Sequence, residues 1–299
     1  MQAGRTGPSS DRQNASVIPT PQLASTVAMN PESTVPLGTG LPTREELNVH
    51  YPAKFTWGQL KCFVNSGDLG LLKRDKRLQK RYDEWAVGIK TQYGSIVSYL
   101  LNYRLQWGKP DTLSLLRSAL DDPTLERSQQ PDSSNHQRIP EIPPGVTPYF
   151  TADAPKELIS IIQNDWPYSV PPEVEHSLIW TMLPIFHPDL IAESIRARVE
   201  QDGLWGFTGN ESPPPSPSLL PTYISALSQW GMTLDKLIRS ERGTEEEDNL
   251  VKRAGGHIDE FVRTRWIEDE WETAWFVNPP RLQSVPGLAH IHVFARKKI

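Results

Sequence analysis

Twenty-eight prolines in 299 residues set the first limit on this chain. A proline fixes its own φ, removes a backbone donor and biases the residue before it away from the helix. Prolines gather with serine over 209–221 and recur in Pro143-Pro144-Gly145, which marks both stretches as loops rather than regular structure. With a hydrophobic fraction of 37%, below the globular average, part of the chain is not expected to pack. Ten tryptophans point the other way, because each buried indole carries a large apolar area into a core. Together they predict a tryptophan-rich folded portion flanked and interrupted by Pro/Ser-rich loops.

Along the chain, residues 1–42 are rich in Ser, Thr, Pro and Gly without a sustained period and read as a disordered tail. A helical N-terminal subdomain is expected over 43–120. Thr56 and Gln59 have capping-box spacing, and Leu60, Phe63 and Val64 supply an apolar face that stops at Asn65-Ser66-Gly67. Leu78, Tyr82, Trp85 and Ile89 then repeat the helical period, followed by Ile96, Tyr99, Leu100 and Tyr103. The basic run from Lys73 to Arg81 reads as a solvated helix face. A polar, proline-rich linker is expected over 121–148.

An α+β domain is expected over 149–299, with helices beside a small antiparallel sheet and the 209–221 insertion inside it. His176 to Thr181 reads as a buried strand, and His187-Pro188-Asp189 as the opening of a helix that Gly203 closes. The acids Glu245 to Asp248 suit the positive end of a long helix whose stripe runs from Leu250 to Trp266. Two further strands are expected over 274–277 and 290–295.

Charge and cysteine content exclude several classes. A net charge of −5 lacks the basic stripe of a nucleic-acid binder. The one cysteine, Cys62, permits no internal disulfide and is expected in the core. No apolar run reaches 18 residues, so no membrane span is expected. The cytoplasm is the expected compartment, with the nucleus as the alternative. Phosphate-loop, zinc and serine-hydrolase signatures are missing, so neither a cofactor nor a metal is expected. Nothing in the sequence specifies a protein partner.

The chemistry gathers in His290-Ile291-His292-Val293-Phe294. On a strand, His290, His292 and Phe294 share one face while Ile291 and Val293 take the other. Two imidazoles about 7 Å apart on one pleated face suit a shared phosphate or a proton-transfer task. Upstream stand Asn164-Asp165-Trp166-Pro167-Tyr168, whose rings are candidates for stacking on a sugar or base, and His176 at the head of its strand. Asn278 and Gln283-Ser284-Val285 precede the histidine pair.

This order resembles the histidine-triad superfamily of nucleotidyl transferases and hydrolases. There an early His begins a strand, and a late Asn…Gln-Ser-Val…His-x-His strand supplies the nucleophile. The resemblance implies His292 as nucleophile, with His290, His176, Asn278 and Ser284 assisting. Two departures stand out: Phe294 holds the third triad position, and four residues separate Val285 from His290, where members of the superfamily usually have one. A second resemblance covers nearly all the ordered chain. FTWGQLKCFVNSGDLGLLKRD, YGSIVSYLLNYRLQW, NDWPYSVPPEVEHSLIW and WFVNPPRLQSVPGLAHIHVFAR are similar to the fungal N-acetylglucosamine-induced protein family. That family carries a domain of unknown function, brings no established catalytic residues, and implies a cytosolic role in N-acetylglucosamine response or metabolism.

Three functions follow. The first is a small-molecule module binding an amino sugar or its phosphorylated or nucleotide conjugate. Its ligand-binding residues would be Asn164, Asp165, Trp166, Tyr168, Asn278, Gln283 and Ser284. The second is a histidine-triad-like enzyme using His292, His290 and His176, and the third is a protein-interaction adaptor. Whether the chain is an enzyme is left open by the residues alone.

Overall fold

The computed structural model describes residues 34–120 and 139–299, so residues 1–33 of the expected tail and 121–138 of the expected linker lie outside the described residues. Five antiparallel strands form the centre: β1 (Ile159–Gln163), β2 (Val174–Thr181), β3 (Leu204–Thr208), β4 (Trp271–Val277) and β5 (Ala289–Lys297). Their order in the sheet is β1-β2-β5-β4-β3, so the histidine strand is central. Eight α-helices accompany them: α1 (Arg44–His50), α2 (Trp57–Val64), α3 (Lys76–Tyr93), α4 (Ile96–Tyr99), α5 (Glu193–Asp202), α6 (Leu220–Tyr223), α7 (Glu245–Ala254) and α8 (Gly256–Arg265). The class is α+β, as expected.

The strand period of two assigns each face its own cover. Ile179, Trp275, Ile291, Val293 and Ala295 point to one side, where they pack with Ile195 and Val199 of α5 and with Ile258 and Val262 of α8. On the other side Val174, Ala274, Phe276 and Phe294 meet Leu60, Phe63 and Val64 of α2. Further along that face Leu178 and Trp180 pack against Leu100, Leu105 and Trp107. The helices before residue 120 therefore share their cores with the sheet, and they roof the face that carries the histidines.

Several local expectations are met. Thr56 and Gln59 form a reciprocal capping box at α2. Thr244 and Glu247 do the same at α7, where four acids occupy the first turn. Cys62 is fully buried. Other expectations change. Order begins earlier than residue 43: the Gly40 and Leu41 carbonyls accept from Arg81, and Gly38 N donates to Glu46, which also closes a capping box with Thr43. The long helix after residue 245 divides into α7 and α8 at Gly255. His187-Pro188-Asp189 opens no helix: Asp189 N donates to the His187 ring and Leu190 N to the His187 carbonyl, a closed turn, so α5 starts at Glu193.

Strand β3 was not predicted. Its sequence, Leu-Trp-Gly-Phe-Thr, places Gly206 opposite Trp275 of β4. A Cβ at Gly206 would lie 2.5 Å from the Trp275 ring, so the missing side chain lets the indole lie flat across the neighbouring strand. Gly88, inside α3, meets nothing within 4 Å. Gly206→Ala is therefore expected to cost about 1–3 kcal/mol through overpacking. Gly88→Ala should instead stabilise by about 1 kcal/mol, because alanine is the better helix former. Urea unfolding of the two variants checks this; equal effects would refute the packing argument.

Candidate functional site

The register places the site before any side chain is considered. Across the β2/β5 pair, His176 faces Phe294, Leu178 faces His292 and Trp180 faces His290. His176 and His292 are thus diagonal neighbours on one face, within reach of each other's rings. His176 Nε2 lies 3.0 Å from His292 Nδ1. All three imidazoles are buried, with Phe276 stacked on His292 at 4.5 Å and Trp180 stacked on His290 at 4.3 Å.

The proton positions follow from the fixed donors and acceptors around the rings. Tyr168 N, which can only donate, lies 3.2 Å from His176 Nδ1. That ring therefore carries its proton on Nε2 and gives it to His292 Nδ1. His292 in turn holds its proton on Nε2, 3.3 Å from Nδ2 of Asn278, a contact that requires the amide flipped so that its oxygen accepts. His290 is set the other way. Its Nδ1 lies 3.2 Å from the Leu288 carbonyl, which only accepts, so Nδ1 is protonated and Nε2 keeps a lone pair. Among the described residues that Nε2 has no hydrogen-bond partner.

Of the other residues expected here, Asn164 accepts from Trp166 N and lies 3.3 Å from the His176 ring. Tyr168 stacks on His292 at 5.8 Å. Trp166 packs against Tyr82 and Trp85 at 5.4 and 5.2 Å. Gln283 braces the Asn278 carbonyl, and Ser284 stands on the rim. Asp165 has a different task. Both of its oxygens accept from Arg104, at 2.7 and 2.8 Å, so it holds the turn rather than reaching for a ligand.

Arg104 is the last residue of a π-helical turn, Leu100–Arg104, and also binds Asp111 through both terminal nitrogens. Pairing with two carboxylates outweighs burial and raises its pKa. Neither Arg104 nor Asp111 stood out in the sequence. Arg74 did, but as part of a solvated face, and here the structure corrects the reading. Asp75 is the N-cap of α3, so Arg74 precedes the helix and turns inward. Lys76, Arg77 and Lys80 remain exposed. Arg81 also faces in, paired with Glu46 at 2.9 Å.

The guanidinium of Arg74 donates to the Trp166 carbonyl and to Gln79, and lies over Tyr82 at 4.8 Å. It makes no ion pair among the described residues. It borders a cavity of about 80 Å³, lined also by Asn164, Trp166, Trp180, Ser284, His290 and His292. The indole nitrogens of Trp166 and Trp180 are buried without a partner. The lining therefore offers a cation, with Asp165 already neutralised by Arg104. A larger cleft of about 360 Å³ shares Tyr168 with this cavity and is lined also by His176. The His176 ring is already engaged at both nitrogens, so it presents no free atom there. Among the described residues no group of three or more His, Cys, Asp or Glu side chains is placed to hold a metal ion. In the histidine cluster, two of the candidate nitrogens are bonded to each other.

Burial disfavours the imidazolium form throughout. It pulls His290 down to about 4, against a smaller raising effect of the Leu288 carbonyl. It drives His176 and His292 well below 6.5, with Arg74 adding to both and the neighbouring imidazoles adding to His292. All three rings are neutral at pH 7. Between pH 6.5 and about 4 the unfolded chain binds a proton at His290 that the folded chain refuses, so stability falls as pH falls through that window. The loss from His290 alone is on the order of 3 kcal/mol, from about 1.4 kcal/mol per pKa unit. Urea midpoints at pH 7, 6, 5 and 4 should decline, and more shallowly for His290→Gln; identical slopes would contradict the assignment.

Comparison with known proteins places this geometry in a family. A protein from Saccharomyces cerevisiae, "Uncharacterized protein YPL067C", is 24% identical over 240 residues, covering 79% of this chain and 76% of that protein. "N-acetylglucosamine-induced protein 1" of Candida albicans is 26% identical over 138 residues, 44% of each chain. A solved structure, "Crystal Structure of HTC1", aligns over 81% of this chain and 85% of that one, at 19% identity and a TM-score of 0.34. That score is too low to bear on the fold. Among the described residues no helix is long and apolar enough to cross a membrane. Residues 56–201 and 236–296 match the family described as "Protein of unknown function (DUF3605)", and the chain belongs to that family.

Proposed function

We propose that the protein is a cytosolic module that binds an amino sugar in phosphorylated or nucleotide-conjugated form. The observation that carries this reading is Arg74, which has no counter-ion among the described residues, at the edge of a small cavity that His290 also lines. Such a lining suits an oxyanion. The volume, about 80 Å³, holds a few waters' worth of ligand, far below the hundreds of Å³ a whole nucleotide requires. The phosphoryl end therefore enters, and the sugar ring stays at the mouth against Tyr82, Trp85 and Tyr99. Similarity to a protein named for induction by N-acetylglucosamine supports the choice of sugar.

Thermal-shift measurements with N-acetylglucosamine, its 6-phosphate and a nucleotide-diphosphate conjugate test this. At a hundredfold excess over Kd, a ligand specific for the folded state adds about 2.7 kcal/mol, a shift of several degrees. The 6-phosphate, whose phosphoryl group is terminal, should raise Tm most and the free sugar should not, and Arg74→Met should abolish the shift. The diphosphate conjugate, whose phosphoryl groups are internal, should respond more weakly. A flat response across the panel would refute the reading.

A second reading, a histidine-triad-like nucleotidyl hydrolase or transferase, is supported by the hydrogen-bonded His176–His292 pair beside His290. The nucleophile in that reading is His290 rather than His292. Both nitrogens of His292 are engaged, whereas Nε2 of His290 has its lone pair free. Its attack on phosphorus forms an N–P bond as the bond to the leaving oxygen breaks. Peptide mass spectrometry after incubation with nucleotide conjugates should then find the adduct on His290; no adduct and no turnover would exclude this reading.

A further inference from the structure

We infer that the cavity takes its oxyanion together with a proton, shared with Nε2 of His290, and thereby selects a phosphoryl group over a sulfuryl group of the same shape. The inference deepens the anion-binding reading above and rests on it.

The geometry of His290 carries the argument. Its Nδ1 proton is held by the Leu288 carbonyl and its ring is held by stacking on Trp180, so it can neither change tautomer cheaply nor swing away. An unprotonated Nε2 is thus fixed in a ring that lines the cavity to which Arg74 brings its cation. A fully ionised oxygen placed against that lone pair is repelled. An oxygen bearing a hydrogen is bound.

A terminal phosphoryl group regains such a hydrogen at little cost near neutrality, since its second ionisation falls at about pH 6 and about a tenth of it is still protonated at pH 7. Sulfuryl groups do not. For sulfate the proton would have to be placed on His290 itself, and the surroundings oppose this. From its own strand His292 faces it as a second neutral imidazole, with His176 of β2 behind. Arg74, ahead of α3, adds positive charge at the same cavity, and the tyrosines there, Tyr82 of α3, Tyr99 of α4 and Tyr168, are un-ionised. The one carboxylate on the lining, Asp165, is neutralised by Arg104. Beyond the Leu288 carbonyl, no charge nearby stabilises an imidazolium until the anion arrives, and the anion best suited to arrive brings the proton with it.

The two ions are nearly identical in size and shape, so packing does not separate them. The test is calorimetric titration of the full chain with inorganic phosphate and inorganic sulfate from pH 6 to 9. Phosphate should bind at least tenfold more tightly than sulfate at pH 7. Above its second ionisation its affinity should fall about tenfold per pH unit, the signature of one proton bound with each ion. His290→Gln, which offers an N–H as well as a carbonyl, should bind the two ions alike. If that variant does not fold, the pH dependence of the unsubstituted protein decides alone. Equal, pH-independent binding of both ions overturns the inference and leaves the anion site standing. Binding of neither overturns both.

Discussion

Arg104, buried between Asp111 and Asp165, is the interaction on which the rest of the site depends. Its guanidinium fastens the loop after the π-helical turn to the Asn164–Tyr168 turn, and Asp111 also accepts from Gln163 N at the end of β1. Removing one member of such a buried group leaves an uncompensated charge and typically costs about 3–5 kcal/mol. The functional consequence lies one step on. With Asp165 clamped, Trp166 N is directed to Asn164 and Tyr168 N to His176. That last backbone proton fixes the tautomer of His176, hence of His292. A salt bridge that never touches the cavity thus settles which imidazole has a lone pair to offer.

The second constraint is desolvation. Three imidazoles on one face of the sheet, His176 on β2 and His290 and His292 on β5, are costly to charge, and the roof of N-terminal helices makes them more so. Neutral rings need directed partners, and these are supplied by a backbone N–H, a backbone carbonyl and an asparagine amide rather than by carboxylates. A carboxylate beside any of them would have favoured the imidazolium and quenched Arg74. Keeping acids out of the cavity, by tying Asp165 to Arg104, keeps the cation available.

Much of this was legible from local pattern. The alternation His290, His292, Phe294 against Ile291, Val293 places the strand and both of its faces, because the period of two admits no other reading. The order Asn164, His176, Asn278, His290, His292 brought together residues that do converge. What escaped shares a physical cause. Arg74 lies in a run of cations, and only the N-cap at Asp75 separates it from the exposed Lys76 and Arg77. Strand β3 carries a glycine where a strand former is expected, because Trp275 needs the space. Arg104 is joined to Asp165 across 61 residues of sequence and Asp111 to Gln163 N across 52, and no periodicity reports a pairing of that kind.

The role of the N-terminal helices also becomes clearer when the sheet faces are compared. The face packed against α5, α7 and α8 is wholly apolar at its centre, and Ile179, Ile291 and Val293 there need no further explanation. The opposite face interrupts its apolar surface with three histidines, and the segments that cover it contribute Arg74, Tyr82, Trp85, Tyr99 and Arg104. The residues that make the cavity all fall within the two stretches that match the family, 56–201 and 236–296. Between those stretches, Trp230 donates to the Arg74 carbonyl from outside them. The cavity and its cover are therefore one construction, in which the first half of the chain supplies the charge and the second half supplies the acceptor.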